Sequence, residues 1–158
     1  MLEHWSDFYV AAAGASAGLA GLIIVAMSVN IDVIVTIPSM PSRAGSTIAN
    51  LVLIVVISIS ALMHGLPEFG FGIIVAVGAI VALGFAAEST VQIARKESMR
   101  AGLAKGAVGI LPAVLVLVGG ALLVASLDGG LYWVAAGILA AFVGSVLNAW
   151  VLLVEIRR

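Results

Sequence analysis

Along the chain, long apolar runs alternate with short polar breaks. Five windows reach the roughly 20 mostly apolar residues that a helix needs to cross a hydrocarbon core about 30 Å thick. They cover about 8–29, 47–64, 71–93, 107–127 and 131–154. The breaks are a loop around Arg43, the stretches LPEFG and ARKESMRAGLAKG, and the turn DGG. None is long enough to hold a soluble domain, so residues 1–158 read as a single transmembrane helical domain. The expected fold is an all-α integral membrane bundle of five transmembrane helices.

Composition agrees with the pattern. Of 158 residues, 63% are hydrophobic and 9% charged, where soluble domains carry about 25% charged residues. So few charges cannot cover a water-facing surface. With no cysteine, disulfides, thiolate metal sites and thiol redox chemistry are excluded. The N-terminal MLEHWSD carries Glu3 and Asp7 and no Lys or Arg, unlike the basic start of a cleavable signal peptide.

The placement of charge predicts topology. Lys and Arg of short loops collect on the cytoplasmic side. All seven fall in three places: Arg43; Arg95, Lys96, Arg100 and Lys105; and Arg157 with Arg158. With five spans these segments share one side. The other side holds Glu3, Asp7, Glu68 and Asp128 and no basic residue. The N-terminus is expected outside and the C-terminus in the cytoplasm. Trp5, Phe8 and Tyr9, and Tyr132 with Trp133, suit aromatic belts at the outer interface. Ser46 or Thr47 suits the start of the second helix, His64-Gly65 with Pro67 its end, and Pro112 a kink in the fourth.

Helices in lipid pack closely only where side chains are small. The first span, with AAAGASAGLAG, is small over most of its circumference, with Gly14, Gly18 and Gly21 among its contact positions. The last span repeats the device with Ala136, Ala140, Gly144 and Asn148 at four-residue spacing, and Gly137, Ala141 and Ser145 beside them. Packing within one subunit is the plain use of such ridges. Contact between subunits is the sharper one and suggests a homo-oligomer.

Polar side chains within spans are costly and face protein or water. The candidates are Ser28, Asn30 and Asp32 in MSVNIDVIV, then Arg43, Asn50, Glu88 and Asn148, all toward the expected cytoplasmic side. Glu88, Gln92 and Arg95 share a helical face at i, i+4 and i+7. Glu88 lies either within the membrane or at its interface beside Arg95. Asn148 is expected to make an interhelical hydrogen bond. Asp32 reads as the point where lipid ends, unless the helix runs on past it with Ser28 and Asp32 on one face. His64 can cap carbonyls; Glu3, His4 and Asp7 read as solvated rather than as a metal site. No metal or cofactor is expected. Motifs such as HExxH, GxSxG, a Walker loop and CxxC are absent from the sequence, so no enzyme is implied. Nucleic-acid binding has only the interfacial cations behind it.

Trp5, Phe8, Gly21-Leu22, Val25-Ala26, Ser28, Val29 and Asn30 give the N-terminal third a pattern of Trp and Phe, a small-residue helix and a GL-x-x-VA-x-S-[IV]-N run. In this it resembles a group of uncharacterised small bacterial multi-pass membrane proteins of actinobacterial type, over roughly residues 4–60. Some of its members are labelled modulators of the FtsH protease. The resemblance implies no reaction and no ligand, and it sets Ser28 and Asn30 in the most recognisable motif. It implies the bacterial inner membrane.

Two functional expectations follow. The first is a homo-oligomeric inner-membrane protein that forms an ion- or small-solute-conducting pore. The second is a non-catalytic accessory or regulatory subunit of a larger membrane protein, using the same small faces. A small secondary transporter is weaker, because five spans show no inverted repeat.

Overall fold

A computed structural model describes residues 2–34, 36, 40–96 and 99–154. After a 3-10 turn at Leu2–Trp5 come α1 (Ser6–Val29), a short α2 (Ile31–Ile34), α3 (Met40–Ala61), α4 (Glu68–Lys96), α5 (Met99–Val124) and α6 (Gly130–Val154). The described residues contain no strand. Helices are what lipid demands, since each backbone group must find its partner within the segment. Four helices carry windows long and apolar enough to cross a membrane: Ser6–Val29, Ala44–Ala61, Glu68–Glu88 and Gly130–Trp150. α5 carries a shorter apolar stretch, Gly109–Val124.

Helix ends differ from the expected ones for local reasons. α3 starts at Met40, two turns before Thr47, because Pro41 is compatible with a first turn, where its missing N–H costs nothing. Ser46 and Thr47 therefore lie inside the helix. α3 ends at Ala61, and Gly65 takes the left-handed conformation that glycine adopts freely, at φ +81°. α4 begins directly after Pro67, whose carbonyl accepts from the Phe71 N–H at 3.0 Å. The carboxylate of Glu68 in that first turn suits the positive end of the helix dipole.

α5 closes in a Schellman motif. The Leu127 N–H donates to the Leu122 carbonyl at 2.9 Å and the Ser126 N–H to that of Leu123 at 3.1 Å. Ser126 holds the left-handed position at φ 55°. Gly129, at φ +88°, then turns the chain into α6.

Three side-chain contacts fix how the helices alternate. Trp5 meets Tyr132 edge to face at 4.9 Å between ring centroids, and Tyr9 meets Phe71 at 5.8 Å. These bring the starts of α1, α4 and α6 to one end. Asn148 and Thr47 meet at the other. Arg43, Arg95, Lys96, Arg100 and Lys105 all lie on turns at this second end, and Arg157 and Arg158 follow α6 there in sequence. This second end is the basic end of the bundle. Tyr9, expected in an interfacial belt, is instead fully buried in the core. It lies one turn beyond Trp5, on the face of α1 that packs inward with Ala12, Ser16, Ala20 and Ile23.

α4, α5 and α6 pack at glycine. A Cβ on Gly137 of α6 would stand 2.5 Å from Val116 Cγ2 and 3.0 Å from the Pro112 carbonyl oxygen. On Gly119 it would stand 2.7 Å from the Val134 backbone nitrogen, and on Gly120 2.8 Å from that of Ala76. The Pro112 position in α5 thus faces α6 through Gly137. The close ridge of α6 includes Gly130, Val134 and Gly137, rotated from the expected one. Of that one, Ala136 is exposed, Ala140 and Asn148 are half-buried and Gly144 is buried.

α1 behaves differently. It packs mainly against α3 and buries Ala12, Ser16, Ala20 and Ile23, while Gly14, Gly18 and Gly21 face outward with nothing within 4 Å of an added Cβ. Gly137→Ala is therefore expected to cost about 1–3 kcal/mol through overpacking, and Gly18→Ala to leave stability equal or higher, read as thermal unfolding in mild detergent. Ser126→Gly should raise that midpoint, since relief of a left-handed non-glycine residue is worth about 1 kcal/mol; an unchanged midpoint would count against the cap.

Candidate functional site

Among the described side chains, the polar candidates do not converge on one site. In MSVNIDVIV, the Ser28 hydroxyl donates to the Ile24 carbonyl at 3.0 Å, an i→i−4 bond within its own helix. Asn30 is the C-cap of α1. Its backbone N–H lies 3.2 Å from both the Ala26 and Met27 carbonyl oxygens, and its side-chain Nδ2 donates to Ala26 at 2.9 Å. These bonds satisfy carbonyls that a helix end leaves without intrahelical partners.

The chain turns at Asn30, with φ −112° and ψ 19°, then resumes as α2, where the Ile34 N–H donates to the Asn30 carbonyl at 3.0 Å. α1 therefore does not continue past Asp32, and Ser28 and Asp32 do not share one uninterrupted helix face. Asp32 is exposed, while Ile34 folds inward and is buried. The backbone of Arg43 lies in the first turn of α3; its side chain, and with it any pairing with Asp32, lies outside the described residues.

Glu88 ends the apolar window of α4 and is exposed. The side chains of Gln92 and Arg95, expected on its face, lie outside the described residues.

One pair does join two helices. Asn148 Nδ2 of α6 donates to Thr47 Oγ1 of α3 at 3.2 Å. Thr47 is 2% exposed, so the bond replaces water that hydrocarbon and protein exclude. Asn50 lies three residues further along α3, close to the same face, and lines a small cavity of about 30 Å³. Pro112 and Gly109 of α5, Ala79 of α4 and Ile138 of α6 also line it. Thr47 was read from the sequence only as a helix start. Its i, i+3 spacing to Asn50 was the signal that it belonged to a polar face.

The chain matches no protein-family model, no curated protein and no solved structure.

Elsewhere the described interior is mostly apolar, with the hydroxyls of Tyr9, Ser16, Ser58, Ser60 and Ser145 set into it. Ser16 and Ser60 donate to carbonyls one turn back, Ala12 at 2.6 Å and Val56 at 2.7 Å. The core around them is built from Leu51, Ile54, Ile57, Phe71, Val75, Val134 and Ile138. Among the described residues no group of His, Asp and Glu stands close enough to hold a metal ion.

The arrangement can therefore tie α3 to α6 at the basic end. A double-mutant cycle of Thr47→Val and Asn148→Leu is expected to give a coupling of about 0.6 kcal/mol, up to about 1.7, as interhelical hydrogen bonds in membranes do. Additive losses would mean that the two side chains act independently.

Proposed function

We propose that the chain is a five-span protein of the bacterial inner membrane, with its N-terminus outside and its basic end in the cytoplasm, and that it works by docking α1 onto another membrane helix. A second copy is the first candidate for that helix. The carrying observation is the outward stripe Gly14, Gly18 and Gly21, open to beyond 4 Å. α1 is also the least buried of the four membrane-length windows, at 22% against 39–44% for the others. Small residues on a lipid-facing surface give nothing to lipid and permit close helix approach. α4, α5 and α6 use Gly72, Gly119, Gly120, Gly130 and Gly137 for that purpose within the protomer, while Gly84 of α4 stands as open as the α1 stripe.

This reading favours the assembly part of the sequence expectation over the conducting part. The protomer core is filled by apolar side chains, and Ser28 and Asn30 bond to their own helix. A conducting path would therefore lie between copies, with exposed Glu88 as the acidic group that faces outward from α4.

Purified protein in mild detergent is expected to run as a defined oligomer, or with one membrane partner at fixed stoichiometry. Gly14→Leu with Gly18→Leu should release the monomer while helix content and unfolding midpoint hold. A wild-type chain that is monomeric and alone ends the proposal. Ion flux through liposomes that changes with Glu88→Gln would assign the assembly as a pore; a stable assembly without flux would assign it as an accessory subunit.

A further inference from the structure

Between α1 and α6 at the basic end lies an open groove of about 240 Å³. Leu19, Ile23 and Met27 line one wall and Val146 and Trp150 the other, and Ile34 of α2 closes the end. Ala26 and Ala149 also line it, and their short side chains leave the space. The α1 residues fall at four-residue spacing, one face of the helix. Among the described residues the lining carries no charged side chain, and the Trp150 indole N–H is its one polar side-chain group.

The position of the groove says what fills it. It opens outward on two helices whose apolar windows, Ser6–Val29 and Gly130–Trp150, have membrane length. Water does not enter an apolar space of this kind, and in a bilayer the neighbouring matter is acyl chain. Trp150, 66% exposed at the end of the α6 window, is the amphipathic type of side chain found at headgroup level. Beyond it the sequence reads VLLVEIRR, ending in Arg157 and Arg158. The backbones of Arg43, Arg95, Lys96, Arg100 and Lys105 lie at this end. A lipid whose tail lies in the groove therefore has its headgroup in the most cationic zone of the protein, and clustered Lys and Arg beside a span attract anionic headgroups.

We infer that the α1–α6 groove is a binding site for one acyl chain of an anionic phospholipid, held by the apolar walls and selected by the basic end. The inference needs only a membrane-embedded bundle and does not depend on α1 docking to another copy.

The test uses the full chain with Trp5→Phe and Trp133→Phe, which leaves Trp150 as the single tryptophan, excited selectively at wavelengths beyond tyrosine absorption. It is reconstituted in phosphatidylcholine vesicles containing bromine-labelled phosphatidylglycerol or, at equal mole fraction, bromine-labelled phosphatidylcholine. Quenching of Trp150 should report a preference for phosphatidylglycerol of roughly fivefold or more, the effect of about one juxtamembrane cation. Arg157→Gln with Arg158→Gln should reduce it, and Ala26→Leu with Ala149→Leu should abolish it by filling the groove. Native mass spectrometry of the unmodified protein, counting retained phosphatidylglycerol against phosphatidylcholine, gives the same comparison without the Trp substitutions. Equal quenching by both lipids overturns the inference, as does a preference that survives the filled groove. Trp150 shielded from both lipids, with cross-links between copies across the groove, would show that a second chain occupies it instead.

Discussion

Backbone meets backbone at the glycines of α5 and α6, and the packing around them follows from that approach. In hydrocarbon there is no hydrophobic drive for two helices to associate, so their stability rests on the number of atoms brought into contact. Gly119, Gly120 and Gly137 leave room for Val134, Ala76 and Val116 respectively. Any side chain there would meet main-chain atoms, which cannot swing aside. α4, α5 and α6 are thus held close, with α3 completing the core through Leu51, Ile54 and Ile57. Pro112 fits the same design. It sits in α5 opposite Gly137, where a kinking residue in one helix is met by the smallest residue in the next.

α1 joins this assembly by a different rule. Its inward face is small but not glycine, with Ala12, Ser16 and Ala20 set between Tyr9 and Ile23. Tyr9 and Phe71 pack edge to face beneath the Trp5–Tyr132 pair, so one end is locked by aromatic rings. At the other end α1 stops at its own Asn30 cap, and α2 turns Ile34 back into the protein. The result is a helix anchored by aromatics at one end and spaced from α6 by a groove at the other. Its glycines are left facing out.

The polar residues divide along the same lines. The half-buried Asn148 found a partner across a helix contact, and buried Thr47 is that partner because α3 starts early enough to carry it inside. Ser28 and Asn30 found partners within α1. The stretch that contains them is therefore, in structural terms, a helix ending: a hydroxyl that bonds back and an amide that caps. Sequence reading set all of these residues at one end of the bundle. It could not assign partners, because the partner of a side chain depends on rotation about the helix axis, and a one-residue change in register turns a helix by about 100°.

Much of the architecture was therefore written in the chain itself. Apolar run length required long helices, and Pro67, Gly65 and the DGG turn punctuated them. The collection of every Lys and Arg into three segments sorted the helix ends, because backbone satisfaction and charge solvation are local costs that each residue bears wherever it packs. Which small face meets which neighbour was decided only in three dimensions. The sequence offered nearly equal ridges at Gly14–Gly18 and at Ala136–Ala140. Tertiary packing left the Gly14–Gly18 ridge outside and rotated the α6 contact away from Ala136, onto Gly130 and Gly137, with Gly144 buried further along. It did so because Gly130 and Gly137 stand opposite Val116, Gly119 and Leu123 across the hairpin that Gly129 closes. Close packing depends on matched pairs of surfaces, and a single strip of sequence contains only one member of each pair.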